Sequence, residues 1–208
     1  MPLILYKLGG SLLTLPDLDS RLMVLFRQPL PAPLAVTASR PVARALLVGG
    51  GPTADVVREW DRRHRLGDQR SHDLAVAAMG LNARLVKSLL PAAEWATKRN
   101  SIGRPRAGGR VAVLDPQAVL DEAERQAAAR LPRSWDVTSD SLAAFLAIEW
   151  GARALVLVKS TPRPGRKNVL EAARRGLVDK HFPELAPRIP VIAWVNLRAR
   201  QPSVERWL

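Results

Sequence analysis

Lys7, Leu8, Gly9, Gly10 and Ser11 close the apolar run that begins at Leu3, and Gly49, Gly50, Gly51, Pro52 and Thr53 follow the run Ala45 to Val48. Glycines placed after a buried strand let backbone N–H groups converge on an anion without interference from a Cβ, and a helix starting there adds the positive end of its dipole. A lysine at the strand end can reach a bound phosphate as a mobile point charge while glycine amides hold the oxygens in fixed positions. One such turn suggests a nucleotide; two in one short chain suggest transfer of a phosphoryl group. The alternative for the first turn is a tight bend needing positive φ, with Lys7 extending to solvent. The turn is not a Walker P-loop, because the lysine precedes the glycines, and it does not match a dinucleotide fingerprint. Three consecutive glycines carry an entropy cost that an ordinary strand-to-helix connection does not need, which favours close approach of a ligand to Gly49, Gly50 and Gly51. Pro52 suits the first turn of the following helix, where Asp55 would complement the dipole.

A second group of candidates runs Trp135, Asp136, Val137, Thr138, Ser139, Asp140 and Ser141, just before an apolar helical stretch containing Ala143, Ala144 and Leu146. Capping explains some of these residues. Two acids and three hydroxyls exceed that need, and Asp140 is placed to orient a phosphate-binding lysine or to hold a metal ion carried by a nucleotide. Further on, Lys159 and Ser160 end the run Leu155 to Val158, and Lys180 follows Asp179. Each lysine is either a solvated strand-end residue or a second phosphate contact, and Thr161 to Lys167 forms a basic loop suited to a polyphosphate. His64, His72 and His181 have no metal-site spacing, and no dedicated metal site is expected. His72 fits a helix surface, although the polar run Gly67 to Asp73 could also face an acceptor.

These residues need a scaffold that brings strand ends together. Leu3 to Leu8, Ala45 to Val48, Val111 to Leu114, Ala154 to Val158 and Val191 to Val195 read as buried parallel strands, with a weaker one at Leu34 to Thr37. Helical patterns cover Thr53 to His64, Asp68 to Leu90, Pro116 to Arg130 and, after a Thr/Ser cap, Ser139 to Trp150. The alternation predicts an α/β sandwich with a mostly parallel sheet, binding ligands at the C-terminal strand edge. Pro- and Gly-rich loops fall at Gln28 to Pro33, Gly103 to Gly109 and Thr161 to Gly165, the second of them a junction between lobes.

An apolar content of 47% over 208 residues is enough for a substantial core. The formal charge is +13 and the isoelectric point about 11.4. The basic residues are scattered among acids and alanines, and one tyrosine and three phenylalanines offer little for base stacking, so anionic small molecules are favoured over nucleic acid. The absence of cysteine excludes disulfides and thiolate chemistry and fits the cytoplasm. No signal pattern or membrane-length apolar run is present. A homo-oligomer is expected, although the residues do not fix its size.

Taken in order, Lys7 to Ser11, Gly49 to Gly51, the segment ending at Asp140 and the strand Leu155 to Val158 resemble the amino-acid kinase family, which includes acetylglutamate, aspartate and uridylate kinases. The resemblance spans almost the whole chain. It implies a three-layer αβα sandwich in one domain, 1–208, with the acceptor on an N-lobe of about 1–109 and ATP on a C-lobe of about 110–208. Within that family, Gly49 to Pro52, His64 to Asp68 and Trp135 to Ser141 look most like the aminomethylfuran-phosphate kinases of methanofuran-type cofactor synthesis, which convert [5-(aminomethyl)furan-3-yl]methyl phosphate to its diphosphate. The implied roles are charge bridging by Lys7, orientation of Lys7 by Asp140, and ATP contact by a second lysine, Lys159 or Lys180. Gly9, Gly10, Ser11, Lys159 and Ser160 would hold phosphate and nucleotide, and Gly49, Gly50, Gly51, Asp136 and Ser139 the acceptor. Mg2+ would arrive with ATP. Asp136, Asp179 and Asp68 are candidates to face an acceptor amine. The chain departs from the family after Val158, where Lys159, Ser160, Thr161 and Pro162 replace an Asp-containing glycine-rich loop. Kinases for a carboxylate, a nucleoside monophosphate or isopentenyl phosphate, and a non-catalytic nucleotide-binding regulator, are the alternatives. Lys7→Ala is expected to remove most turnover with the fold intact, and Asp140→Asn to lower turnover more than stability.

Overall fold

Continuous apolar runs form the middle of a seven-stranded sheet, because strands covered on both faces have no solvated side on which to place polar residues. The computed structural model describes residues 2–28, 42–103, 111–165 and 168–208. In chain order the elements are β1 (Leu3–Leu8), α1 (Leu18–Arg27), β2 (Ala43–Val48), α2 (Gly51–His64), α3 (Asp68–Leu89), β3 (Glu94–Ala96), β4 (Ala112–Leu114), α4 (Pro116–Gln126), α5 (Ser139–Glu149), β5 (Ala154–Lys159), α6 (Val169–Arg174), α7 (Phe182–Leu185), β6 (Ile192–Asn196) and β7 (Glu205–Arg206). A 3-10 turn covers Gly10–Thr14.

The strands run in the order β3-β4-β2-β1-β5-β6-β7. All neighbouring pairs are parallel except β6 with β7. Leu8 lies opposite both Val48 and Val158, and Lys159 opposite Asn196, so β2, β1, β5 and β6 end along one edge. The order reverses around β1, and a crevice opens at that edge where connections leave to opposite sides.

Alternate residues of β1 feed two cores. Leu3 and Leu5 join Leu47, Leu155, Leu157 and Trp194 beneath α4, α5, α6 and α7. Ile4, Tyr6 and Leu8 join Val48, Val156 and Val158 beneath α1, represented by Leu22 and Phe26, and the C-terminal half of α3, represented by Ala83 and Val86. Tyr6 meets Phe26 edge to face at 5.2 Å. Helices therefore cover both faces of a mostly parallel sheet, the α/β sandwich that the alternating pattern predicts.

Some details differ from the sequence reading. The helix after Pro116 ends at Gln126, short of Arg130. Thr138 precedes α5 without capping it through its side chain. The three-residue β3, the two-residue β7 and the short helices α6 and α7 carry too little periodic signal to stand out from their surroundings, whereas α1 was passed over although Leu18, Leu22, Leu25 and Phe26 recur at helical spacing. The lobe boundary near residue 109 falls ahead of β4, yet β4 lies between β3 and β2 with the strands of the first half. The strand expected at Leu34 to Thr37 and residues 104–109 of the expected junction lie outside the described residues. Among the described residues no helix is long and apolar enough to cross a membrane.

Candidate active site

Lys7 is the penultimate residue of β1, and its side chain turns toward the N-terminus of α5. There its Nζ lies 2.9 Å from Oδ1 of Asp140. Lys159, the last residue of β5, donates to the other carboxylate oxygen at 2.7 Å and to the Leu177 carbonyl at 2.7 Å. It also sits 5.6 Å from the centre of the Trp194 ring. Lys7 is 4% exposed and Asp140 5%. Two ammonium groups share the Asp140 carboxylate, and the buried Asp179 carboxylate acts on Lys159 from farther away. Ammonium groups buried in this way can also pair with an anion at the strand ends.

Burial pushes the Asp140 carboxyl up, but Lys159 and Lys7 outweigh it and hold the group at about 2. Burial, assisted by Lys7, brings Lys159 down to about 8 despite the carboxylate beside it. Both groups bind fewer protons folded than unfolded in their own windows, so each raises stability as pH rises. The Asp140 contribution, about 2 kcal/mol, is complete above the unfolded carboxyl value and is lost as pH falls toward about 2. The Lys159 cost is relieved as pH climbs from about 8 toward 10.5. Urea unfolding measured across that alkaline range should show stability rising with pH, and Lys159→Met should flatten the rise; an equal rise in the variant would contradict the assignment.

The two glycine turns meet directly above this cluster. Gly9 and Gly49 extend the sheet ladder, donating to Val158 at 2.8 Å and to Leu8 at 2.9 Å. Gly10 and Gly51 pack backbone to backbone. A Cβ on Gly10 would lie 2.1 Å from the Gly51 nitrogen, and one on Gly51, whose φ is +48°, would lie 2.5 Å from the Gly10 carbonyl. The glycine at these two positions is thus demanded by contact between the turns, where three consecutive glycines favoured close approach of a ligand to Gly51. Among the described residues the N–H groups of Gly10, Gly50 and Gly51 have no protein acceptor. Ser11 and Ser160, predicted as phosphate contacts from separate segments, come within 3.1 Å of each other through their hydroxyls.

A pocket of about 630 Å³, open mouth included, extends from Gly50 and Gly51 between α2, α3 and the segment before α5. Val76, Met79 and Leu142 line its apolar side, and Ser139 its floor. Asp55, Arg58 and His72 bring polar groups to it. Burial, then the positive charge of Arg133, lowers the His72 pKa, keeping the imidazole neutral in neutral solution. Trp135 forms one wall. Its indole N–H donates to Asp61 at 2.8 Å and the Arg58 guanidinium lies 4.7 Å from its ring centre.

The structure brings Lys7, Asp140, Lys159, Gly9, Gly10, Gly50, Gly51 and Ser139 to one edge, with Ser11 and Ser160 beside them. Gly49 lies one residue deeper, with Ser139 against its Cα. Lys180 and Asp136 are elsewhere: they pair with each other at 2.8 Å, and their side chains are 76% and 57% exposed. Of the two lysines left open by the sequence, only Lys159 reaches Asp140. Asp179 does not face the pocket either. Its carboxylate accepts from Thr138 N–H and hydroxyl, from Ser141 N–H and hydroxyl, and from Phe182 N–H. The acid that lines the pocket is Asp55, read from sequence only as a dipole partner. Its carboxylate pairs with Arg58 at 2.6 Å. Sequence reasoning also passed over Asn82, although a polar residue on the face shared by Val76, Met79, Ala83 and Val86 was a usable signal. Among the described residues no group of three or more carboxylate or imidazole side chains is placed to hold a metal ion.

No family model matches the sequence, and no curated protein matches it. Solved structures do. The uridylate kinase of Archaeoglobus fulgidus is 17% identical with a TM-score of 0.56, over 93% of this chain and 89% of that one. The UMP kinase of Bacillus anthracis is 13% identical with a TM-score of 0.57, over 96% and 90%. The UMP kinase of Ureaplasma parvum is 12% identical with a TM-score of 0.54, over 93% and 88%. At these identities the likeness establishes the architecture, the amino-acid kinase fold.

Proposed function

We propose that a chain with the amino-acid kinase fold and this site is an ATP-dependent phosphotransferase acting on a small phosphorylated acceptor. The observation that carries the reading is the buried cluster Lys7, Asp140 and Lys159, two ammonium groups on one shared carboxylate, beneath three unpartnered glycine amides where two turns touch. Lone-pair-rich oxygens and negative charge are what such a site lacks. It suits the phosphates of a nucleotide and of an acceptor held end to end.

In this reading the nucleotide lies on the side of β5 and β6, and the acceptor over α2 in the pocket beside Gly50 and Gly51. An acceptor phosphate oxygen attacks the γ-phosphorus in line, the bond to the β-phosphate oxygen breaks, and ADP leaves with its electron pair. The attacking group is already an anion, so no general base is required. Lys7 neutralises charge on the transferring group, the Gly10 amide holds one of its oxygens, and Asp140 keeps both lysines aimed. Lys159, not Lys180, is the second lysine. Mg2+ bound with the nucleotide would supply further charge neutralisation.

For the acceptor we favour [5-(aminomethyl)furan-3-yl]methyl phosphate, on the phrases Gly49 to Pro52, His64 to Asp68 and Trp135 to Ser141, and on a pocket that pairs apolar walls with the Asp55–Arg58 ion pair, whose carboxylate would exchange Arg58 for an amine. A nucleoside monophosphate is the second reading, favoured by three structural neighbours that are uridylate or UMP kinases. ADP release with ATP and, in turn, the furan phosphate, UMP, isopentenyl phosphate and acetylglutamate separates these. Release with the furan phosphate is expected. ATP binding without release for any acceptor would replace the kinase with a nucleotide-binding regulator.

A further inference from the structure

The side chain of Asn82 is buried in α3, 4% exposed, and spends its donors on the triple-glycine turn. Its amide nitrogen donates to the Gly49 carbonyl at 2.8 Å and to the Gly50 carbonyl at 2.7 Å. Its oxygen accepts from the Thr53 hydroxyl at 2.8 Å. Carbonyls only accept, so the nitrogen end must face the turn and the oxygen end the hydroxyl. The orientation of the carboxamide is dictated by its partners.

The two carbonyls are not an arbitrary pair. The peptide unit that carries the Gly49 carbonyl also carries the Gly50 N–H, and the unit with the Gly50 carbonyl carries the Gly51 N–H. A trans peptide is planar, with its C=O and N–H pointing in opposite directions. Anchoring both carbonyls toward α3 therefore turns both N–H groups away from it, and these are two of the three amides without a protein acceptor. Hydrogen bonds to a carbonyl also polarise the peptide and strengthen the N–H as a donor. Glycines have no Cβ to restrict their torsions, so an outside brace is what such a turn needs.

We infer that Asn82, locked by Thr53, is a positioning residue that aims the Gly50 and Gly51 amides at the acceptor's phosphate, one buried side chain serving as the rear half of an anion cradle. The inference rests on the kinase reading for the identity of the anion, but not for the geometry of the cradle. It is tested by titrating inorganic phosphate into protein kept at saturating ADP, and by titrating ADP separately, for wild type, Asn82→Asp and Thr53→Val.

Asn82→Asp replaces the donor by a carboxylate facing two carbonyls, and phosphate affinity should fall at least about tenfold while ADP affinity changes less than about twofold. Thr53→Val keeps the donors but removes the lock, and a fall of about two- to fivefold is expected. A purely structural role would lower both affinities together. Equal phosphate affinity in Asn82→Asp, or parallel loss of ADP and phosphate, overturns the inference. If Asn82→Asp does not fold, Thr53→Val decides, and unchanged phosphate affinity there overturns it. The acceptor panel on wild type alone tests the kinase reading: no ADP release with retained, Asn82-dependent phosphate binding ends that reading and leaves the cradle standing. Wild type that binds neither ADP nor phosphate ends both.

Discussion

Under the proposed phosphoryl transfer, Lys7→Met is expected to lower turnover by about 10²- to 10³-fold, the usual cost of deleting one preorganised charge at a reacting centre. The variant keeps most of the apolar stem inside the α5 face and leaves Asp140 paired with Lys159. It also removes one of the two ammonium groups that share that carboxylate, so the site loses attraction for an anion without gaining an unpaired ion. Thermal unfolding should therefore stay close to wild type while ADP release collapses; a variant turning over near the wild-type rate would remove Lys7 from the chemistry. The companion change, Asp140→Asn, behaves differently from what the sequence implies. With both lysines buried against that carboxylate, its neutralisation leaves two ammonium groups facing each other, and a stability loss of about 3–5 kcal/mol accompanies the lost activity.

Asp179→Ala is expected to cost about 3–5 kcal/mol in urea unfolding, among the larger effects a single substitution produces. Three backbone N–H groups and two hydroxyls would lose their acceptor at once. The side chain does from a distance in sequence what an N-cap does locally: it satisfies the exposed donors at the start of α5, where Thr138 makes no cap of its own. Burial, together with the nearby Asp140 charge, pushes the Asp179 carboxyl up, so Asp179 is maintained at an energetic cost that its five donors offset. Asp140 stands in the first turn of the same helix, and turnover should fall with stability. A folded Asp179→Ala with wild-type midpoint would contradict this account.

How far these features were legible depends on what each leaves in the chain. β1 and β5 announce themselves, because a strand buried on both faces must be apolar at nearly every position. The edge strand β3 holds three residues, one of them Glu94, and cannot be told from a loop. The glycine turns and Lys7 were legible by type and order; that Gly10 and Gly51 touch was not, since no local pattern encodes contact between turns some forty residues apart. Asn82 and Asp179 share a different obstacle. A buried amide or carboxylate has the same letter as a solvated one; the apolar helix face around Asn82 signals its burial, but only partners brought from other elements reveal what either residue does. The choice between Lys159 and Lys180 likewise turned on which strand end lies beside α5, a matter of sheet order and not of composition.

The contact between Gly10 and Gly51 has a consequence for motion. Side-chain tethers let two bound groups drift by a rotamer's reach, whereas two peptide backbones in contact leave less room for relative displacement. Under the proposed reaction, the gap between attacking oxygen and phosphorus becomes a property of the main chain, as stiff as the sheet beneath it. A misalignment of about one ångström is worth about a hundredfold in rate. That alignment would be lost to any methyl group inserted between the turns, since a Cβ on either glycine meets the other's backbone.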